Sequence, residues 1–207
     1  MRFSDFVSLD HNHVITQSLN HLISMLIARE KRKSNVAEYI LYMWQVEDML
    51  RAMAMDIQQL EQNVVSRFQV DENTRKEIRE WYDNLIEMMK KEEVVKGGHL
   101  QVIKNMVNEL TELHFYLLHE AQDMKYKQLF MMAANNLLDY RRKTNLPEEV
   151  SDVELALHAL YGHLMLRLQK KEINSQTAMA MESFSRMIAY LAARYKAMEE
   201  NEEKMFD

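Results

Sequence analysis

Two carboxylates, Glu47 and Asp48, stand side by side in a stretch that is otherwise apolar almost all the way round. Burial disfavours the charged form of a carboxylic acid, so such a pair is a candidate for acid–base work. Arg51 lies four residues after Glu47 and three after Asp48, the spacing at which a helix brings opposite charges together. Ion pairing within the helix needs no other residue and is the simpler expectation. Tyr42 adds a phenol to the same helix.

Three histidines fall on apolar segments. His114 continues the stripe Ile103, Val107, Leu110, Leu117 and Ala121, whereas His119, five residues on, points elsewhere. His158 and His163 lie in the most apolar segment, also five residues apart, which sets them about 140° apart around a helix and unable to share one metal easily. Buried polar groups normally have hydrogen-bond partners, so structural histidines are expected. His11 and His13 flank Asn12 near the start and bring too few ligands for a metal. Glu77 and Glu80 resemble half of a diiron motif, but no Glu-x-x-His occurs in the chain, and there is no cysteine. No metal site, cofactor or catalytic residue is therefore assigned. The weak ligand-binding candidates are Tyr42, Glu47, Asp48, Arg51, His114, His158 and His163. If their helices pack together, a pocket near Glu47, His114 and His158 could take a small molecule or a metal.

Two basic runs could touch phosphates, Arg29–Lys33 (REKRK) and Arg141–Lys143. The second suits the C-terminal end of a helix, where the dipole favours cations. A formal charge of −6 over 207 residues gives no support for broad nucleic-acid binding.

The elements that carry these residues are helical. Three Gly, one Pro, and frequent Leu, Met, Glu, Lys and Ala argue for an all-α chain. The organising element is Val153–Leu168, apolar on every side and so expected to be buried at the centre. Ser151 with Glu154 forms a capping box at its start, and Ala159 with Gly162 would admit a neighbouring backbone closely. Asp56 can cap another helix, and Gly97–Gly98 should stop the helix running from about residue 74 to 95. The expected architecture is a single-domain bundle of six or seven mostly antiparallel helices, with 151–170 central. Met25 reads as an alternative start. The expected division is thus a leader of doubtful origin at 1–24, the helical bundle at 25–203 and an acidic tail at 204–207. No run approaches the roughly 20 apolar residues of a membrane span. No secretory signal opens the chain, so the cytoplasm is expected. The chain has 18 methionines, most on helical stripes where leucine would serve as core.

The segments LIAREKRKSNVAEYILYMWQVEDMLR (26–51) and ALYGHLMLRLQKKEI (159–173) resemble a bacterial all-helical family of unknown function, over about residues 25–196. The resemblance implies a small, cytosolic helical protein and carries no activity or site residue with it. The leading expectation is a non-catalytic interaction protein, paired with itself or with another protein. The alternative is a ligand-binding bundle.

Overall fold

The computed structural model describes residues 24–67 and 70–206. His11, His13 and His21 lie outside them, as does most of the 1–24 segment. Of the described residues, 80% are helical. Among the described residues there are eight α-helices: α1 (Ser24–Ser34), α2 (Val36–Ala52), α3 (Ile57–Asn63), α4 (Glu72–Lys91), α5 (Gln101–Phe115), α6 (Met124–Lys143), α7 (Asp152–Leu168) and α8 (Ser175–Phe206). The added helix relative to expectation is α1, which takes in the REKRK run; its last turn carries Lys31, Arg32 and Lys33, as the dipole favours.

The described residues divide into two compact units, one formed by 24–34 with 38–105, the other by 35–37 with 106–206. In the first, α4 is amphipathic and buries Ile78, Tyr82, Leu85, Ile86 and Met89. Ile40, Met43, Trp44, Val46 and Leu50 of α2 are buried too. Asp56 caps α3 by accepting from the backbone N–H of Gln58 at 2.8 Å, as its place three residues before Gln59 predicts.

In the second unit α6 and α8 lie against each other. The Tyr126 ring stacks on Tyr190, Asn136 donates to Ser183, and Tyr140 meets Phe184 edge-on. The early position 126 on α6 meets the late position 190 on α8, and the later positions 136 and 140 meet the earlier 183 and 184, so the two helices run antiparallel. Ser151 caps α7 by accepting from Glu154 N–H at 3.1 Å. The first half of α7 is buried at Val153, Leu155, Ala156, Leu157, Ala159 and Leu160. The expectation of burial on every side fails in its second half: Leu166 and Leu168 are 37% and 59% exposed. Nor is Gly162 a close-approach point. A Cβ built there would meet nothing within 4 Å among the described residues.

A chain with so few glycines ends its helices another way. Ala54, Glu93 and Lys170 take positive φ angles of 53°, 58° and 55°. After each, the next backbone N–H reaches back five residues: Met55 to Leu50, Val94 to Met89, Lys171 to Leu166. These are the 6→1 bonds of Schellman C-caps, built on residues other than glycine. Helix α4 therefore ends at Lys91, ahead of the Gly97–Gly98 turn expected to stop it. The helix carrying His114 also ends sooner than its stripe implied. After Phe115 it widens into a π-helical turn, Tyr116–Glu120, which breaks the 3.6-residue period and leaves Ala121 exposed.

Candidate functional site

Four side chains one face apart on α2, at Trp44, Glu47, Asp48 and Arg51, organise the polar centre of the first unit. Their spacing of three, one and three residues places them on one stripe. The connection from α4 to α5 is fastened to that stripe. The Trp44 and His99 rings stack at 4.5 Å and 19°. Glu47 is 1% exposed. Its Oε1 accepts from Leu100 N–H at 2.9 Å and its Oε2 accepts from His99 Nδ1 at 2.6 Å. Arg51 donates to the carbonyl oxygens of Val94 and Gly98 and, through Nη1, to Asp48 at 2.7 Å.

The start of α5 explains why this is needed. No Ser, Thr, Asp or Asn precedes it, so its first N–H groups lack a local cap. Carboxylates from elsewhere substitute: Glu47 takes Leu100 N–H, and Glu92 takes Gln101 N–H at 2.6 Å. Both also place negative charge at the positive end of the helix dipole. The pairing expected between Glu47 and Arg51 is thus corrected. Asp48 pairs with Arg51, while Glu47 turns to a histidine 52 residues away, because an unfilled helix start and an imidazole offer it two donors.

Chemically, Glu47 and His99 form a carboxylate–imidazole dyad. A carboxylate that accepts from Nδ1–H orients the ring and leaves Nε2 as the basic nitrogen. His99 keeps 21% side-chain exposure. Sequence reading did not single it out, since it sits in a connection without periodicity. The uncapped start of α5 was the signal that a distant acceptor had to be supplied.

The second unit has its own buried polar pair. His114 is 3% exposed, and its Nδ1 lies 2.7 Å from Tyr126 Oη. The rings of Phe115, Tyr126 and Phe130 meet its ring edge-on. Burial lowers the His114 pKa below its ordinary 6.5, opposed by the charge of Asp152 and helped by His119. Burial, with Asp152, pushes the Tyr126 phenol well above its usual range. Both groups are therefore neutral near pH 7. Tyr126 extends the stripe of Leu129, Phe130, Ala133 and Leu137 back by one turn, which is how it could have been found. Beside it Asp123 caps α6 through Tyr126 N–H and accepts from Tyr190 O–H at 2.8 Å. The Tyr126 N–H bond, then Tyr190 and Arg194, hold the Asp123 carboxyl below the usual carboxylate range.

The other candidates are peripheral. His158 is 3.8 Å from Glu154 on its own helix. His163 is half-buried, which lowers its pKa, with Arg167 adding to the effect. Tyr42 is half-buried on α2. Glu47, His114 and His158 thus have different partners, namely His99, Tyr126 and Glu154. Among the described residues, no three His, Cys, Asp or Glu side chains cluster so as to hold a metal ion. No helix among them is long and apolar enough to cross a membrane.

A family model described as Domain of unknown function (DUF4924) matches residues 25–202. The chain belongs to that family. The match takes in the whole of the Trp44–Arg51 stripe, His99, His114 and Tyr126. No curated protein and no solved structure matches the chain.

Proposed function

We propose that the chain is a non-catalytic helical interaction protein of the bacterial cytoplasm, and that it associates with a second copy of itself through the outer face of α6. One observation carries this reading. Met124, Met131 and Leu138 recur every seven residues along α6 and are 67%, 74% and 53% exposed. Gln128 and Asn135, also exposed, alternate with them. This is a coiled-coil seam with apolar d and polar a positions. The amides at a can both donate and accept, so each is complementary to its own copy across a two-fold axis. An asparagine at a is the best-attested device for selecting such a pairing.

The buried polar residues support the same reading. Both carboxylate oxygens of Glu47 and the guanidinium of Arg51 hold backbone and imidazole in place. A seam of three apolar layers is short, so the dimer is weak and needs high protein concentration to fill. Sedimentation velocity over a wide concentration range is the test. The native chain should move from monomer to dimer, and Met131→Glu with Leu138→Glu should remain monomeric while melting where the native monomer melts at low concentration. A native chain that stays monomeric at the highest concentration removes the reading. Binding of a different protein by the same face would replace the second copy as occupant.

One observation favours a second reading, a small-molecule site. The ring of His99 is oriented by a buried carboxylate yet is itself partly exposed. A thermal-shift screen of metals, nucleotides and metabolites addresses it. A shift that disappears in His99→Gln supports a site there, and a flat panel discards it.

A further inference from the structure

The methionines range from the core to the surface. Among the described residues, Met43, Met89 and Met187 are no more than 2% exposed, whereas Met124, Met131 and Met132 on α6 are 67%, 74% and 58% exposed; Met88 on α4 and Met179 and Met198 on α8 are exposed too, at 38%, 64% and 46%, but lie outside the α6 seam. The general expectation that methionine serves as core filling accounts for the first group only. Leucine would pack a seam as well and would resist oxidation, so a seam built with exposed thioethers has a chemical property that a leucine seam lacks.

We propose that Met124, Met131 and Met132 form an oxidant-sensitive modification site, and that their conversion to sulfoxides by a peroxide dissociates the dimer while leaving the fold intact. This rests on the reading that the α6 face pairs with a second copy. In the reaction a sulfur lone pair attacks one oxygen of the peroxide and the O–O bond breaks as the S–O bond forms. Sulfur loses two electrons, and the second peroxide oxygen leaves as water, or as an alcohol from an alkyl hydroperoxide, after taking up a proton. The product is polar and chiral where the seam needs a flexible apolar chain. Met124 and Met131 sit at d positions, so each dimer would bury four sulfoxides in two of its three apolar layers. Met132 flanks the seam, next to Met131. The core methionines are shielded by packing, which separates loss of assembly from loss of fold. Sulfoxides are reducible by methionine sulfoxide reductases, so the change can be reversed.

The test uses the full chain with limiting hydrogen peroxide at neutral pH. Peptide mass mapping should find Met124, Met131 and Met132 each gaining one oxygen before Met43, Met89 or Met187 gains any. Sedimentation of the same sample should show the dimer dissociation constant raised about tenfold or more, with unchanged far-UV circular dichroism. The variant Met124→Leu, Met131→Leu, Met132→Leu should dimerise as the native chain does and keep its dissociation constant after the same treatment. If the untreated native chain is monomeric, the self-association reading fails and this inference with it. If it dimerises but oxidation of these residues leaves the constant unchanged, or the triple-leucine variant responds equally, only the oxidation inference is overturned. Equal oxidation rates for core and α6 methionines would also overturn it.

Discussion

Glu47 is the residue on which most of the first unit's polar order depends. Its removal strands Leu100 N–H at the start of a helix and deprives the His99 ring of its acceptor. A buried donor left unsatisfied costs about 1–3 kcal/mol, and breaking a buried pair costs more. His99 is partly exposed and can turn to water, which moderates the loss. Glu47→Ala should therefore lower stability by about 2–4 kcal/mol in urea denaturation. A change near zero would show that α5 finds another cap. His114 is the residue for pH. Its folded pKa lies below the ordinary 6.5, so the unfolded chain binds a proton more readily than the folded one. Stability from this group is complete above about pH 6.5 and declines as pH falls through the window below it. His163, lowered in the same direction, adds to the slope. Denaturation midpoints compared at neutral and mildly acidic pH should converge in His114→Leu, apart from the part due to His163. An unchanged slope in that variant would assign the pH dependence to other groups.

At the scale of elements, helix ends decide the geometry. The N-caps at Asp56, Asp71 and Ser151 follow a local rule, a short polar side chain reaching two or three residues forward, and so were legible in sequence for Asp56 and Ser151. The C-caps were less so, because a left-handed residue is usually glycine, and here Ala54, Glu93 and Lys170 occupy that role. A side chain at such an angle costs about 1–2 kcal/mol, which glycine avoids at some entropic cost in the unfolded chain. Lys170→Gly, at an exposed position, should raise stability by about 0.5–1 kcal/mol in chemical denaturation. A loss instead would mean that the Lys170 side chain contributes to the α7 end. Ser151→Ala should cost about 1 kcal/mol by the same measurement, since it removes the hydroxyl that accepts from Glu154 N–H.

For the whole molecule, the proposed assembly has a thermodynamic signature of its own. A partner that binds only the folded chain adds stability that grows with its free concentration. The melting temperature should therefore rise as protein concentration is raised a hundredfold, and should not in Met131→Glu with Leu138→Glu. Coincident melting of the native chain at all concentrations would argue for an isolated monomer. The two compact units permit a further distinction, since Glu47→Ala acts in the first and the α6 variants act in the second.

The all-helical class followed from composition and from hydrophobic periods, because helix formation depends on residues three or four apart. So did the Ser151 cap and the Asp48–Arg51 pair, whose partners sit within one turn. Tertiary structure decided what distance along the chain conceals. His99 reaches Glu47 across 52 residues, from a connection with no period to mark it. The apolar character of α7 could not reveal that its second half stays accessible, since hydrophobicity measures the tendency to be covered and not the presence of a cover. The same distinction separates the methionines. Most look alike as residues on helical stripes, and only packing sorts those in the core, such as Met43 and Met89, from those at the surface, Met124 and Met131 of α6 among them.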